Sequence, residues 1–114
     1  MNTLTIGVSS RDEINARFLQ AMQGQAQGAF RSFESDTALW KTLTHKRWEL
    51  LKIMSGQGEM SIREAARRIQ RDVKSVHGDV QVLLNAGLLD KTASGKIIFP
   101  FDSIHVDFTL KSAA

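Results

Sequence analysis

The sequence predicts an α+β fold, and three observations predict it. Between Ser61 and Gly87, apolar residues recur at helical spacing in two short runs, separated by the polar turn Gln70-Arg71-Asp72. Directly after them, Leu88-Leu89-Asp90-Lys91 and Lys96-Ile97-Ile98-Phe99 flank Thr92-Ala93-Ser94-Gly95, whose Ser-Gly pair supplies the turn of a β-hairpin. Near the two ends, Thr3–Val8 and Ile104–Leu110 alternate polar and apolar residues, which is the two-residue period of a strand.

Taken in order, the elements divide the chain into a short N-terminal extension, residues 1–34, and a larger domain, residues 35–114. In the extension, the strand Thr3–Val8 is followed by the capping-box pattern Ser10-Arg11-Asp12-Glu13, in which hydroxyl and carboxylate satisfy orphan amides. The helix it opens carries Ile14, Phe18 and Met22 at four-residue spacing with Leu19 beside them, one apolar stripe. Gly24 and Gly28 punctuate its end, and Phe30–Glu34 reads as a second strand, so the extension is expected to be a β-α-β unit. Such a unit is too small to stand alone and must pack on the rest of the chain or on a second subunit.

Ser35 or Asp36 caps a short helix with Leu39, Trp40 and Leu43, and Thr44 caps a longer one, His45–Met54, closed by Gly56 and Gly58. Trp40 and Trp48 sit on apolar stripes, which favours core packing over base stacking for both. Ser61-x-x-Glu64 is a second capping box, and Ala65 and Ala66 are small enough for close approach of the next helix. Asp72 is placed to cap that helix, in which Val73, Val76, Val80, Leu83 and Leu84 fall within about a third of the circumference. Gly87 follows as the residue past its end. Pro100 ends the hairpin's second strand. Ile104, Val106, Phe108 and Leu110 then share one face of a strand expected to be antiparallel with one side buried.

Helix, tight turn, helix, hairpin is the order of a winged helix-turn-helix, a three-helix core plus β-hairpin wing. The charge supports that reading. Residues 41–96 hold eleven Lys/Arg against six Asp/Glu, whereas residues 1–40 hold three against four and residues 97–114 one against two. The excess positive charge therefore lies on the helix-turn-helix segment, which suits a polyanionic partner such as double-stranded DNA. With the apolar arc inward, Arg71, Lys74, Ser75 and Gly78 are expected to point outward over the turn and the first turn and a half of the second helix, the part that enters the major groove. His77 and Gln81 lie on the flank, where Gln81 can reach an adenine. Arg63, Arg67 and Arg68 on the preceding helix are candidates for phosphate contact, with pairing of Arg63 and Arg67 to Glu64, Glu59 or Asp79 as the alternative, and Lys91 and Lys96 flank the hairpin tip. Gly78 lowers helix propensity by about 1 kcal/mol relative to alanine, consistent with close approach of DNA or of a neighbouring helix, and equally with drift.

Other classes find little support. The chain has no cysteine, which removes disulfides, thiolate metal sites and cysteine nucleophiles. Its three histidines, His45, His77 and His105, fall on three different elements; His105-x-Asp107 on one strand face can hold a metal or form an acid–base pair, but a hydrogen-bonded surface is the commoner outcome. No glycine-rich phosphate loop or nucleophile motif is present. Neither catalysis nor a metal nor a cofactor is expected. Apolar runs are far shorter than the roughly 20 residues that span a bilayer, and the N-terminus lacks the pattern of a signal peptide, so a cytoplasmic protein is the default.

At Ser61–Leu89 the chain resembles the winged-helix transcriptional regulators of bacteria and archaea, broadly of MarR-like type. More narrowly, Leu43-Thr44-x-Lys46-Arg47, Ser61–Arg68, Asp72-Val73-Lys74-x-Val76-His77, the Gly87-Leu88-Leu89 ending and Ile104–Phe108 are similar to a small group of predicted DNA-binding regulators with an N-terminal extension. The likeness spans about two-thirds of the chain, and some members of the group resemble the DNA-binding halves of toxin–antitoxin pairs. The resemblance implies a repressor or autoregulator, acting as a homodimer on a two-fold-related operator, or an antitoxin-type module that binds a cognate toxin protein. The long flanking dimerisation helices of full MarR regulators are missing from this sequence, so MarR-style ligand sensing does not carry over.

Overall fold

The computed structural model describes residues 2–9, 11–22 and 29–109, without the side chains of residues 11, 14, 17, 18, 21 and 22. Its elements run β1 (Thr3–Val8), α1 (Arg11–Met22), β2 (Ala29–Phe33), α2 (Asp36–Thr42), α3 (His45–Met54), α4 (Ile62–Ile69), α5 (Val73–Asn85), β3 (Asp90–Lys91), β4 (Ile97–Ile98) and β5 (Ser103–Asp107). The result is a small α+β protein with a three-stranded parallel sheet, in the order β2-β1-β5, and a two-stranded hairpin of β3 and β4. Ser10, Gly24 and Gly28 fall outside the described residues, as do the side chains of Ile14, Phe18 and Met22; Leu19, the remaining member of that predicted stripe, is exposed.

Local signals set the helix boundaries. Ser35 caps α2 by accepting from the Ala38 amide at 3.1 Å, and Thr44 caps α3 by accepting from Arg47 at 3.4 Å. Ser61 accepts from the Glu64 amide at 3.0 Å, and Asp72 from the Ser75 amide at 3.1 Å. Each satisfies an amide that the first helical turn leaves unpaired. Gln70 ends α4 in the left-handed region, at φ 58°, so the chain turns at once into α5. Gly87 takes φ +76° past the end of α5, a conformation that costs glycine no Cβ clash.

The sheet corrects one expectation. The C-terminal strand runs parallel to β1, with Leu4 beside Ile104 and Ile6 beside Val106, not antiparallel. Alternation along a strand encodes which face is buried and carries no information about direction. The strand is also less buried than its pattern suggests: Ile104 is half-buried, but Val106 is exposed because it lies on an edge strand. β1 is the central strand, so Leu4 and Ile6 are fully buried and join Leu39, Leu50, Leu51, Met54, Val80 and Leu83 in one core. N- and C-terminal segments are further tied by Asn2, whose side chain donates to the Pro100 carbonyl at 2.6 Å and whose carbonyl accepts from the Asp102 amide at 2.8 Å.

Two further positions depart from the predicted stripes. Val73, the first residue of α5, is exposed. Trp48 packs against the core as expected, but Trp40 stays half in solvent, edge-on to Phe108 at 5.8 Å. Among the described residues no helix is long and apolar enough to cross a membrane.

Candidate nucleic-acid interface

α4, the turn and α5 place the predicted residues in three distinct situations. Val76, Val80 and Leu83 face the core and Ala65 and Ala66 let α4 lie close against it. The opposite surface of α5 therefore presents Lys74, Ser75, Gly78 and Gln81 to solvent, with His77 on its flank. A Cβ built on Gly78 would meet nothing within 4 Å. Among the described residues no neighbouring helix needs this glycine, so their packing does not explain its presence.

Arg71 is in a different situation from the one its turn position predicts. Its guanidinium is turned inward, donating to Asp79 at 2.6 Å and to the Ser75 hydroxyl at 2.7 Å, with only 17 % of the side chain exposed. The other Asp79 oxygen accepts from Arg47 of α3 at 3.0 Å, and Arg47 also donates to the carbonyls of Lys41 and Thr42. One carboxylate thus ties α3, the turn and α5 together. Arg71 Nη1 is buried without a partner among the described residues, and two guanidiniums share the single Asp79 carboxylate, so the site carries more positive charge than Asp79 neutralises. Asp79 sits at the border of the apolar arc of α5, between Val76 and Val80, where a half-buried carboxylate requires a cation. That position is the signal by which sequence alone could have paired it.

On α4, Arg67 and Arg68 both converge on Glu64. Arg67 donates to both carboxylate oxygens, and Arg68 reaches one at 3.5 Å and the Gln57 side chain at 3.3 Å. The Arg67 hydrogen bond, more than any other influence, holds the Glu64 carboxyl below its ordinary value near 4.5. Arg67 and Arg68 remain exposed despite these contacts, and Arg63 is exposed beside them. The intramolecular pairing weighed for Arg67 is present with Glu64, whereas Asp79 is taken by Arg47 and Arg71.

Lys91 and Lys96 flank the hairpin tip and are exposed. The tip is held by Thr92, whose hydroxyl accepts from the Lys96 amide at 3.1 Å, and by Ser94, which donates to Glu59 at 3.2 Å. Met60, just before α4, exchanges two backbone hydrogen bonds of 2.9 Å with Ile97, so the hairpin is anchored to the start of the helical pair. No group of three His, Asp or Glu side chains among the described residues is arranged to hold a metal ion. The cleft between Trp48, Lys52 and Ile104 shares no residue with the predicted interface.

The fold and this surface together define a small α+β protein with a basic helical face. The chain belongs to the HVO_A0114 family, whose model matches residues 42–106, more than half of its length. No curated protein and no solved structure matches it.

Proposed function

We propose that this protein is a winged helix-turn-helix DNA-binding regulator, a dimeric repressor or autoregulator of MarR-like type, with α5 as the helix that enters the major groove. The carrying observation is the solvent face of α5. Lys74, Ser75, Gly78 and Gln81 form a polar surface with a bare backbone position at its centre, where none of the described residues requires one. The order α3, α4, turn, α5, hairpin supports the same reading, since the hairpin stands where a winged helix carries its wing.

In this reading Lys74, Ser75 and Gln81 read base edges, with His77 on the flank, and Gly78 admits the groove edge to the backbone. Arg63, Arg67 and Arg68 on α4, with Lys91 and Lys96 on the wing, hold phosphates. Arg71 acts from behind: anchored by Asp79, it fixes the Ser75 hydroxyl and adds positive potential at the start of α5. The base-reading set on one subunit is small, which is why a two-fold operator bound by a dimer fits best.

The experiment is selection of bound sequences from a random duplex pool by the purified chain, followed by fluorescence anisotropy on the winners over a range of salt. A site with two-fold symmetry is expected, with affinity falling linearly in log salt. Lys74→Ala should cost about 1–3 kcal/mol if it reads a base, or lower the salt slope by about 1 if it holds a phosphate. Absence of any salt-sensitive DNA binding, together with co-purification of a stoichiometric protein from the native host, would overturn the proposal in favour of an antitoxin-type module.

A further inference from the structure

The outer edge of β5 has no strand beside it among the described residues. His105, Val106 and Asp107 are all exposed, so among the described residues neither face of the sheet is covered there, and Val106 is one of four large apolar side chains of the described residues left in solvent. An open, partly apolar edge of this kind is a template for another strand. What distinguishes this edge is its sequence.

We propose that β5 pairs antiparallel with β5 of a second copy of this chain, about a twofold axis through Val106, fusing two three-stranded sheets into one continuous sheet. A twofold interface demands that if residue i meets residue j, then j meets i. Ser103-Ile104-His105-Val106-Asp107-Phe108-Thr109 satisfies that demand at every position. Val106 faces its own copy, His105 faces the partner's Asp107, Ile104 faces the partner's Phe108, and hydroxyl faces hydroxyl at Ser103 and Thr109. Aliphatic–aromatic and opposite-charge pairs are the combinations that stabilise directly opposed positions on neighbouring strands.

The register is specified as well as the partner. Centring the axis on Asp107 would set two carboxylates against each other. Centring it on His105 would bring two imidazoles together and leave Asp107 opposite Ser103. A slip to a point between residues would turn the face carrying Leu4, Ile6, Ile104 and Val106 to the opposite side in the partner. Only Val106 gives two imidazole–carboxylate pairs and three apolar pairs on the face that carries each core. Trp40, half in solvent against Phe108, lies beside the outer apolar pair and would lose exposure with it. The inference deepens the dimeric part of the proposed function, but it is read without DNA.

The test uses the full-length chain. Sedimentation equilibrium should show a reversible dimer. The chain has no cysteine, so Val106→Cys supplies a single thiol that mild oxidation should cross-link across the axis. Thr109→Cys should not cross-link, because its two copies stand six residues apart in this register, roughly 20 Å. His105→Asp sets carboxylate against carboxylate twice and should weaken dimerisation by about tenfold or more, and adding Asp107→Lys to it should restore the dimer. These positions are exposed, and circular dichroism checks that each variant remains folded. A chain that stays monomeric, a dimer indifferent to His105→Asp, or equal cross-linking at both cysteine positions would overturn the inference. A dimer that obeys every one of these tests yet binds no DNA supports it and overturns the proposed function alone.

Discussion

Asp79 is one carboxylate shared by two arginines, and its removal leaves both guanidiniums half-buried without a counterion. Breaking a buried pair from one side costs more than the pair itself contributes, because the remaining charge stays desolvated. Asp79→Ala is therefore expected to lower unfolding free energy by about 3 kcal/mol, read from urea denaturation, and under the proposed function to weaken DNA binding as the turn and Ser75 lose their support. A change within experimental error would show that Arg47 and Arg71 find other partners. Glu64 makes a prediction of a different kind. Its carboxyl titrates below the ordinary value, chiefly through the hydrogen bond from Arg67. A lowered value in the folded state means stability that is present above the unfolded value and is lost as pH falls through the lowered one. Glu64→Gln should flatten that acid-side slope in denaturation midpoints between neutral pH and about pH 3. The effect will be small, since the pair is exposed to solvent. It should also free Arg67 and Arg68 and steepen the salt dependence of DNA binding; an unchanged slope would remove both from the phosphate-contact set.

At the scale of elements, α5 is where stability and the proposed function are set against each other. Gly78 is solvent-facing with open space at its Cβ, so Gly78→Ala should raise helix stability by about 1 kcal/mol, seen as a higher melting temperature. If the backbone there approaches DNA, the same methyl should weaken binding. A variant that is more stable and binds equally well would leave drift as the account of this glycine. The elements also show what a sequence can reveal about itself. The caps at Ser35, Thr44, Ser61 and Asp72 and the turn glycine Gly95 are legible because each depends on residues three or four positions away. The direction of β5 is not, because it depends on β1, about a hundred residues distant. Arg71 sits between these cases. Its place in the turn is local and readable, but the orientation of its side chain is decided by Asp79 two helical turns on and by Arg47 on another helix. The exposed candidates Lys74, Ser75 and Gln81 follow from helical periodicity alone.

The whole molecule is organised around a strand taken from its beginning. β1 lies between β2 and β5, and Arg31 of β2 donates to the carbonyl of Gly87, just past the end of α5, at 2.8 Å. The N-terminal segment therefore supplies the centre of the sheet and a contact to the loop that follows the helix proposed to read DNA. Its apolar face does not form a separate core, since Leu4 and Ile6 pack with residues of α2, α3 and α5. Cutting at residue 34 would strip β5 of its neighbour and uncover that shared core. Truncating one side chain tests the point without removing the segment. Leu4→Ala should destabilise the chain by about 3 kcal/mol, and the loss should appear equally in the single transition followed by far-ultraviolet circular dichroism and by the fluorescence of Trp40 and Trp48. Leu19→Ala on α1, where the side chain is exposed, should change stability by no more than about 0.5 kcal/mol. Two transitions, with Leu4→Ala shifting only one, would mean that the extension folds apart from the helical pair. One transition means that any signal reaching the N-terminal sheet, including the edge pairing proposed at β5, acts on the same cooperative unit that carries α5.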